Sequence, residues 1–266
     1  MNNLKLLIIE GNTKEENSNF TKAGCISQSE NFSKHIKMHE PNSEIDIVEP
    51  CNDDDCISKV ISSMKNYRGV ILTGSTLRVN ENCKSVKKHF EFVKKCLEQG
   101  SYFFAACWGL QITTTVAGGK CRVSPNGAHT GIAQDIELTD AGKKHKLYKS
   151  KPHKFTAPAF NFDEVEIPPK NSILLAGDKI NKFGAMHFTY GKSEIWGLQY
   201  HPEIPYSYMV KLLRHRKKKL IDSKNFKNED DIKTHIDMIT KEDQKTNDNS
   251  RTLELKNWLN YIKLIN

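Results

Sequence analysis

The sequence lacks the long apolar runs of a membrane protein and the patterns of a secreted one. Its hydrophobic stretches are all far shorter than a bilayer-spanning helix, and no signal-peptide hydrophobic region stands at the N-terminus. Cysteine occurs seven times, and an odd number argues against a closed disulfide framework and for reduced thiols. We therefore expect a soluble protein of the cytoplasm, with no membrane partner.

Signals for nucleic acid and metal are also weak. The formal net charge is +8, but the positive residues are scattered, apart from one block at residues 214–219. We expect this block to be a solvated helix face, with binding of nucleic acid or of an anionic partner as the less favoured alternative. Cys51 and Cys56 lack the further ligands that zinc needs, and His35 and His39 are expected at the surface. The sequence predicts no metal, no cofactor and no nucleic-acid partner.

The first half of the chain alternates between short apolar runs and amphipathic stretches. The apolar runs are typical of strands that are buried on both faces of a parallel sheet. Residues 10–28 are predicted to be a long polar loop, which either contacts a ligand at the sheet edge or is mobile. Together the pattern predicts an α/β domain with three layers and a doubly wound, mostly parallel sheet. The predicted strands are residues 4–9, 45–48, 69–72 and 102–106, and the predicted helices are residues 29–39, 57–66, 85–98 and 108–117.

The pattern changes after residue 119. Short strands joined by turns are predicted first, and helices follow from residue 206 to the end. We therefore expect one domain at residues 1–205 and a helical extension, packed on it, at residues 206–266. The predicted strands are residues 120–123, 132–138, 172–176, 184–190 and 194–199, and the predicted helices are residues 206–221, 230–240 and 251–264.

One cysteine stands at a strand-to-helix corner. The run before Cys107 is apolar, and a helix is predicted to begin at Trp108. The free backbone N–H groups of a helix start carry partial positive charge, which favours the thiolate form that a nucleophile needs. A small apolar residue that merely closes the strand is the alternative.

A later strand ends in a candidate base and acid. His201 follows the strand, and Glu203 comes two residues later, beyond Pro202. This spacing lets the carboxylate reach the imidazole and orient it, as a base that activates a nucleophile requires. By itself the pattern is no more than a strand-end turn, but it supplies the partners that Cys107 needs.

Together the two stretches resemble the class I glutamine amidotransferases. Cys-x-Gly-x-Gln follows a buried strand and Gln-x-His-Pro-Glu follows a later one, in the family's order of cysteine, histidine and glutamate. The resemblance covers roughly residues 4–205. Residues 106–111 are similar, in particular, to stand-alone bacterial members that resemble the amidotransferase domain of GMP synthase. The flavodoxin-like, three-layer fold of that family is implied as well.

The resemblance implies a role for each residue of the trio. Cys107 would attack the γ-carboxamide of glutamine to give a γ-glutamyl thioester and ammonia. His201 would act as general base and acid, and Glu203 would orient His201. Water would then release glutamate.

The resemblance also implies an oxyanion hole and substrate contacts. The backbone N–H groups of Trp108 and Ser75 would bind the oxyanion, since residues 73–76 match the family's glycine-rich oxyanion strand. Gly74 belongs to the same turn and would contact the substrate. Gln111 matches a glutamine that helps to hold the amino-acid end of the substrate.

Several positions depart from the family pattern. Ala105 stands where glycine is usual before the nucleophile, and Ser75 is followed by Thr76 where Gly-Pro is common. Asn161 replaces a histidine, and the segment around His129 lacks a glutamate. Because both of these segments normally flank the glutamine pocket, the identity of the γ-glutamyl substrate is left open.

Three functions are compatible with these residues. The first is a glutaminase that passes ammonia to a separate synthetase, since the chain has no pyrophosphatase loop or Walker motif of its own. The second is a stand-alone γ-glutamyl hydrolase or peptidase, which the altered pocket segments favour. The third is a catalytically silent regulatory protein, and the complete trio argues against it. In the first two the substrate is a small molecule.

Overall fold

A computed structural model describes residues 3–53 and 56–265 of the chain. The strands are β1 (Lys5–Ile9), β2 (Glu44–Val48), β3 (Gly69–Leu72), β4 (Tyr102–Ala106), β5 (Lys120–Val123), β6 (His129–Thr130), β7 (Ala133–Leu138), β8 (Lys154–Ala157), β9 (Phe160–Asn161), β10 (Asp163–Ile167), β11 (Ile173–Gly177), β12 (Ala185–Tyr190) and β13 (Ser193–Leu198). The helices are α1 (Lys14–Lys22), α2 (Gln28–His39), α3 (Cys56–Ser63), α4 (Lys84–Gln99), α5 (Trp108–Val116), α6 (Asp140–Lys144), α7 (Tyr206–His215), α8 (Lys217–Asp222), α9 (Glu229–Lys245), α10 (Asp248–Arg251) and α11 (Leu253–Leu264). Within these described ranges, no helix is both long and apolar enough to cross a bilayer.

The central sheet has nine strands in the order β2-β1-β3-β4-β13-β12-β11-β7-β8. Neighbours from β2 to β13 are parallel, and neighbours from β13 to β8 are antiparallel. Parallel neighbours need long crossover connections, which the helices supply, whereas antiparallel neighbours can be joined by turns. The predicted α/β fold with a mostly parallel sheet and flanking helices is confirmed, and the structure adds the antiparallel region.

Successive side chains of β1 enter two separate cores. Leu6 and Ile8 pack on one face of the sheet, while Leu7 and Ile9 pack on the other. Helices cover both faces, so neither set of side chains meets solvent. This explains why the strand is apolar from Leu6 to Ile9.

The last helix is part of one of these two cores. The ring of Trp258 is 1% exposed and lies 5.6 Å, between centroids, from the ring of Phe104 in β4. It also passes so close to Gly69 that a Cβ there would lie 2.7 Å from the ring. α7 and α9 form a smaller apolar cluster that includes Val210 and Ile236. The division into residues 1–205 and residues 206–266 stays a prediction.

Two predictions of local structure are wrong. The loop predicted for residues 10–28 contains α1, which begins where Thr13 accepts a hydrogen bond from the backbone N–H of Glu16 at 3.3 Å. Phe20 is the one buried residue of α1, so the helix has no periodic apolar face that a sequence pattern could reveal. The single helix predicted for residues 206–221 breaks at Arg216 into α7 and α8. In addition, α6 and the short strands β6, β8, β9 and β10 have no counterpart among the predicted elements.

Truncating Trp258 tests whether α11 is part of the core. We expect Trp258→Ala to lower the free energy of unfolding by about 3–5 kcal/mol, because it leaves a large cavity over Gly69 and Phe104. The measurement is urea unfolding followed by circular dichroism. Leu264→Ala, at a position 83% exposed on the same helix, is the control and should change the value by less than about 0.5 kcal/mol. Equal, small effects of both changes would show that α11 is not part of the core.

Candidate active site

Cys107 occupies a strained corner between β4 and α5. Its backbone has φ 52° and ψ −107°, a left-handed conformation that costs a non-glycine residue about 1–3 kcal/mol. Its N–H donates to the carbonyl of Leu198 at 2.6 Å, which holds the corner against the end of β13. Ala105, in place of the usual glycine, is fully buried in an apolar core. The predicted strand–cysteine–helix arrangement is therefore present, and the side chain of Cys107 is only 5% exposed.

His201 and Glu203 lie directly beyond the neighbouring strand. β13 runs parallel to β4, with Leu198 opposite Ala106, so both strands end at the same edge of the sheet. His201 Nδ1 lies 2.8 Å from a carboxylate oxygen of Glu203, and both side chains are buried. Because the carboxylate engages Nδ1, the other ring nitrogen is the one available to Cys107.

Electrostatics at this site favour a charged imidazole. Burial alone would lower the pKa of His201, but the Glu203 carboxylate and the Cys107 sulfur oppose it and raise the pKa to about 10. An imidazolium between a carboxylate and a sulfur stabilises negative charge on that sulfur. The structure thus brings together the three residues of the predicted trio in one buried cluster.

The turn at residues 73–76 lies against the histidine. A Cβ at Gly74 would lie 2.6 Å from His201 Cε1, so only glycine fits there. The next residue is fixed by its side chain, because Ser75 Oγ donates to the carbonyl of Gly11 at 2.8 Å. The backbone N–H of Trp108 stands in the first turn of α5, where it has no acceptor within the helix, and Trp108 lines the cleft.

Buried Glu10 shapes this turn, although no sequence motif singles it out. Its carboxylate accepts from the backbone N–H groups of Asn12 at 3.1 Å and Ser29 at 2.8 Å, and Thr73 Oγ1 donates to it at 3.4 Å. Burial raises the pKa of Glu10 above its ordinary value. The end of β1 is thereby tied both to the start of α2 and to the turn beside His201.

Gln111 is linked to Cys107 through a second glutamine. Its amide donates to the carbonyl of Asp163 at 3.0 Å and to Gln199 Oε1 at 3.2 Å. Gln199 Nε2 in turn lies 3.6 Å from the sulfur of Cys107. Gln111 lines the cleft, as a substrate contact must, and Gln199 is a buried connection that sequence reasoning misses.

The two segments that depart from the family pattern meet beside the cleft. His129 Nδ1 lies 3.0 Å from Asn161 Oδ1, and its Nε2 lies 3.3 Å from a carboxylate oxygen of Asp178. The Asn161 amide donates to Asp163 and to Asn181, at 3.0 and 2.9 Å. His129 and Asn161 are therefore hydrogen-bond partners of each other, and Asn161 lines the cleft.

Comparison with known proteins supports the same interpretation. The model of the family "Glutamine amidotransferase class-I" matches residues 30–216, more than half of the chain. The chain belongs to this family. A glutamine amidotransferase from Thermotoga maritima has the same fold, with a TM-score of 0.68 and 16% identity over the full length of both chains.

Related members of the family carry names that describe different activities. A "Gamma-glutamyl-L-1-hydroxyisopropylamide hydrolase" of Pseudomonas is 28% identical over 229 residues, which cover 85% of this chain and 76% of that protein. A "Glutamine amidotransferase-like protein" of Penicillium rubens is 25% identical, over 82% of this chain and 86% of that protein. A glutamine-hydrolysing GMP synthase subunit from Methanoculleus marisnigri is 27% identical, over 44% of this chain and 60% of that protein.

A buried arginine from beyond the matched region supports the histidine turn. Arg251, in α10, donates to the carbonyl of Pro202 and pairs with Asp248. It also lies 3.0 Å from His35 Nε2. The prediction that His35 lies at the surface is therefore wrong, because His35 is fully buried. His39 is half-buried and contacts Thr252 at 2.7 Å. Polar and charged contacts of both histidines come from the C-terminal helices. The spacing of residues within α2 cannot reveal such contacts, because they depend on residues distant in sequence.

A cleft of about 850 Å³ opens in front of the trio. Phe20 of α1 and Gln28 of α2 line it, so of the two predicted roles for residues 10–28 the structure favours contact with a ligand.

The basic block at residues 214–219 does not form one solvated face. Arg214 and Lys218 are exposed, but Arg216 is half-buried and lines the cleft. Among the described residues, which exclude the side chain of Cys56, no cluster of acids, histidines and cysteines could hold a metal ion.

Replacing Glu203 by glutamine tests the electrostatic account. Because the folded-state pKa of His201 lies above its ordinary value, the pair stabilises the fold fully below pH ~6.5, and this contribution is lost as pH rises through about 10. We expect Glu203→Gln to lower the pKa of His201 in an NMR titration. It should also cost about 3–5 kcal/mol of unfolding free energy at pH 6, and less as the pH rises toward 10.

Glu91→Gln, at an exposed position of α4, is the control for this substitution and should leave both quantities unchanged. A stability difference that does not depend on pH, or a His201 pKa that stays where it is in Glu203→Gln, would contradict the account.

Proposed function

We propose that this chain hydrolyses a γ-glutamyl amide through a covalent thioester on Cys107. The observation that carries the proposal is the buried cluster in which His201 is held by Glu203 at 2.8 Å and its pKa is raised by Glu203 and Cys107. A nucleophile, a base and an orienting acid in this relation support acyl transfer. A silent regulatory protein would not need all three.

The first half of the reaction forms the thioester. The sulfur of Cys107 attacks the γ-carbonyl carbon, and its proton resides on His201. The oxyanion that develops accepts hydrogen bonds from the backbone N–H groups of Trp108 and Ser75. His201 then gives its proton to the amide nitrogen, the carbon–nitrogen bond breaks, and the amine or ammonia leaves.

The second half of the reaction releases glutamate. His201 takes a proton from water, and the oxygen of that water attacks the thioester carbon. The same two backbone N–H groups receive the second oxyanion. The carbon–sulfur bond then breaks, glutamate leaves, and His201 again faces the sulfur of Cys107. We expect Gln111, which lines the cleft, to contact the γ-glutamyl half, and Gly74 to contact the substrate beside His201.

The size of the cleft favours a substituted amide over glutamine itself. A volume of about 850 Å³ lies in the upper part of the range of ~300–1,000 Å³ that holds drug-sized ligands, and glutamine is much smaller. The related Pseudomonas protein, which aligns with 85% of this chain, is named for the hydrolysis of a γ-glutamyl amide with a substituted amine. A stand-alone hydrolase is therefore the first candidate.

A glutaminase that feeds a separate synthetase is the second candidate. It is favoured by the similarity to archaeal GMP synthase subunits, whose names describe one part of a glutamine-hydrolysing enzyme. In that case the ammonia acceptor is a second polypeptide. For either candidate we place the reaction in the cytoplasm, because seven cysteines without a disulfide framework suit a reducing compartment.

Release of glutamate and amine from defined substrates tests the proposal. We expect the purified chain to hydrolyse γ-glutamyl ethylamide with a higher kcat/KM than glutamine. Cys107→Ala should reduce the rate by at least about 10³-fold, because the residues of such a trio act as a unit. The control is Cys83→Ala, which changes a half-buried cysteine at the start of α4 and should keep full activity.

Two results would separate the candidates or exclude both. Hydrolysis of glutamine alone, stimulated by a synthetase, would favour the glutaminase. Failure to release glutamate from any γ-glutamyl amide, or equal rates for Cys107→Ala and the unaltered protein, would refute the proposal.

A further inference from the structure

Arg216 presents an uncommitted positive charge inside the cleft. It lies at the break between α7 and α8, and its guanidinium carbon is 5.4 Å from the ring centres of both Phe20 and Phe160. Within the described ranges its guanidinium makes no hydrogen bond or ion pair. Arg78, the other arginine of the cleft, is paired with Asp163 instead.

The surroundings of Arg216 make this charge available to a ligand. Burial lowers the pKa of Arg216, yet a guanidinium stays charged at neutral pH. The carboxylate of Glu16 also lines the cleft and acts on Arg216 from a distance, without forming an ion pair with it. Two aromatic rings hold the planar group and leave its N–H fork free, which suits recognition of a carboxylate by two parallel hydrogen bonds.

The wall that carries Arg216 lies on the histidine side of the cleft. Tyr208 of α7 packs on Phe20 and donates to the carbonyl of Ile26, which joins α7 to the α1–α2 segment. That segment continues into Gln28, whose amide would lie 2.8 Å from a Cβ at Gly74, the residue that touches His201. Buried Gln28 Oε1 has no hydrogen-bond partner among the described residues, and Gln28 lines the cleft.

The two halves of a γ-glutamyl amide therefore meet different walls. His201 protonates the leaving nitrogen, so the amine half lies on the side of His201, Gln28 and Arg216. The γ-glutamyl half lies toward α5 and Gln111. The carbonyl of Phe160 is 4.0 Å from the sulfur of Cys107, while its ring supports Arg216. Phe160 thus lies between the sulfur of Cys107 and the guanidinium of Arg216. The length of one such residue is comparable to that of an amino acid attached to the scissile nitrogen.

We propose that Arg216 binds a carboxylate on the amine half of the substrate, so that the preferred substrates are γ-glutamyl derivatives of amino acids. This inference rests on the proposed function of Cys107. Phe20 and Phe160 hold the guanidinium in place, and Gln28 Oε1 accepts a hydrogen bond from the N–H of the amine half. The substrate class follows from the chemistry of this wall: an amine that carries an acid group.

A matched pair of substrates tests the inference. γ-Glutamylglycine and γ-glutamylglycinamide differ only in a terminal carboxylate or carboxamide. We expect the protein to hydrolyse the acid with at least about 10-fold higher kcat/KM, the size of one charge-assisted contact. Arg216→Gln should bring the ratio close to one, and Arg216→Lys should keep part of it, since lysine retains the charge without the planar fork. Arg214→Gln, at the exposed neighbouring arginine, is the control and should keep the full ratio.

Binding to an inactive protein separates this inference from the proposed function. In the Cys107→Ala background, calorimetry should show about 10-fold tighter binding of the acid peptide, and Arg216→Gln should abolish this difference. A binding preference without any hydrolysis by the unaltered protein would support the role of Arg216 and refute the hydrolase. Equal hydrolysis of the two peptides, or a preference that survives Arg216→Gln, would overturn the role of Arg216 and leave the hydrolase standing. Absence of both binding and hydrolysis would overturn both.

Discussion

The pairing of β4 with β13 is the constraint on which the rest of the site depends. These parallel neighbours place Ala106 opposite Leu198, so Cys107 and His201 emerge at one edge of the sheet although they are far apart in sequence. The N–H of Cys107 donates to the carbonyl of Leu198 at 2.6 Å and thereby joins the corner to the strand that precedes His201. A shift in this register by one residue would turn every side chain of β13 to the opposite face and separate the pair.

Electrostatic interactions determine the protonation state of His201 at this edge of the sheet. A buried imidazole would ordinarily be neutral, but Glu203 and Cys107 together keep its proton in place. Burying charged side chains costs free energy unless each of them is paired or hydrogen-bonded. The C-terminal helices help to hold the turn that carries His201 and Glu203. Arg251 donates to the carbonyl of Pro202, between the histidine and the glutamate, and Arg216 brings a second cation to the cleft. The same helices therefore support the turn that carries His201 and line the cleft beside it.

The sequence predicts the sheet and the trio well because each leaves a local pattern. Apolar residues fill β3, β4 and β1 from Leu6 onward, since both faces of these strands are buried. The Cys-x-Gly-x-Gln and Gln-x-His-Pro-Glu stretches each follow a strand. The contributions of α1 and Arg216 leave no such pattern. α1 buries only Phe20, and the functional placement of Arg216 depends on a helix break and on two aromatic rings distant in sequence. The burial of His35 depends likewise on Arg251, more than two hundred residues away.

The central claim is that Cys107 is the nucleophile, and covalent labelling tests it most directly. The reagent is a glutamine-like chloromethyl ketone, followed by peptide mapping of all cysteines. The account predicts one label per chain, on Cys107, with protection by excess γ-glutamyl amide and slower labelling in Glu203→Gln. An unmodified Cys107, or a label that appears first on an exposed cysteine regardless of added substrate, would contradict it.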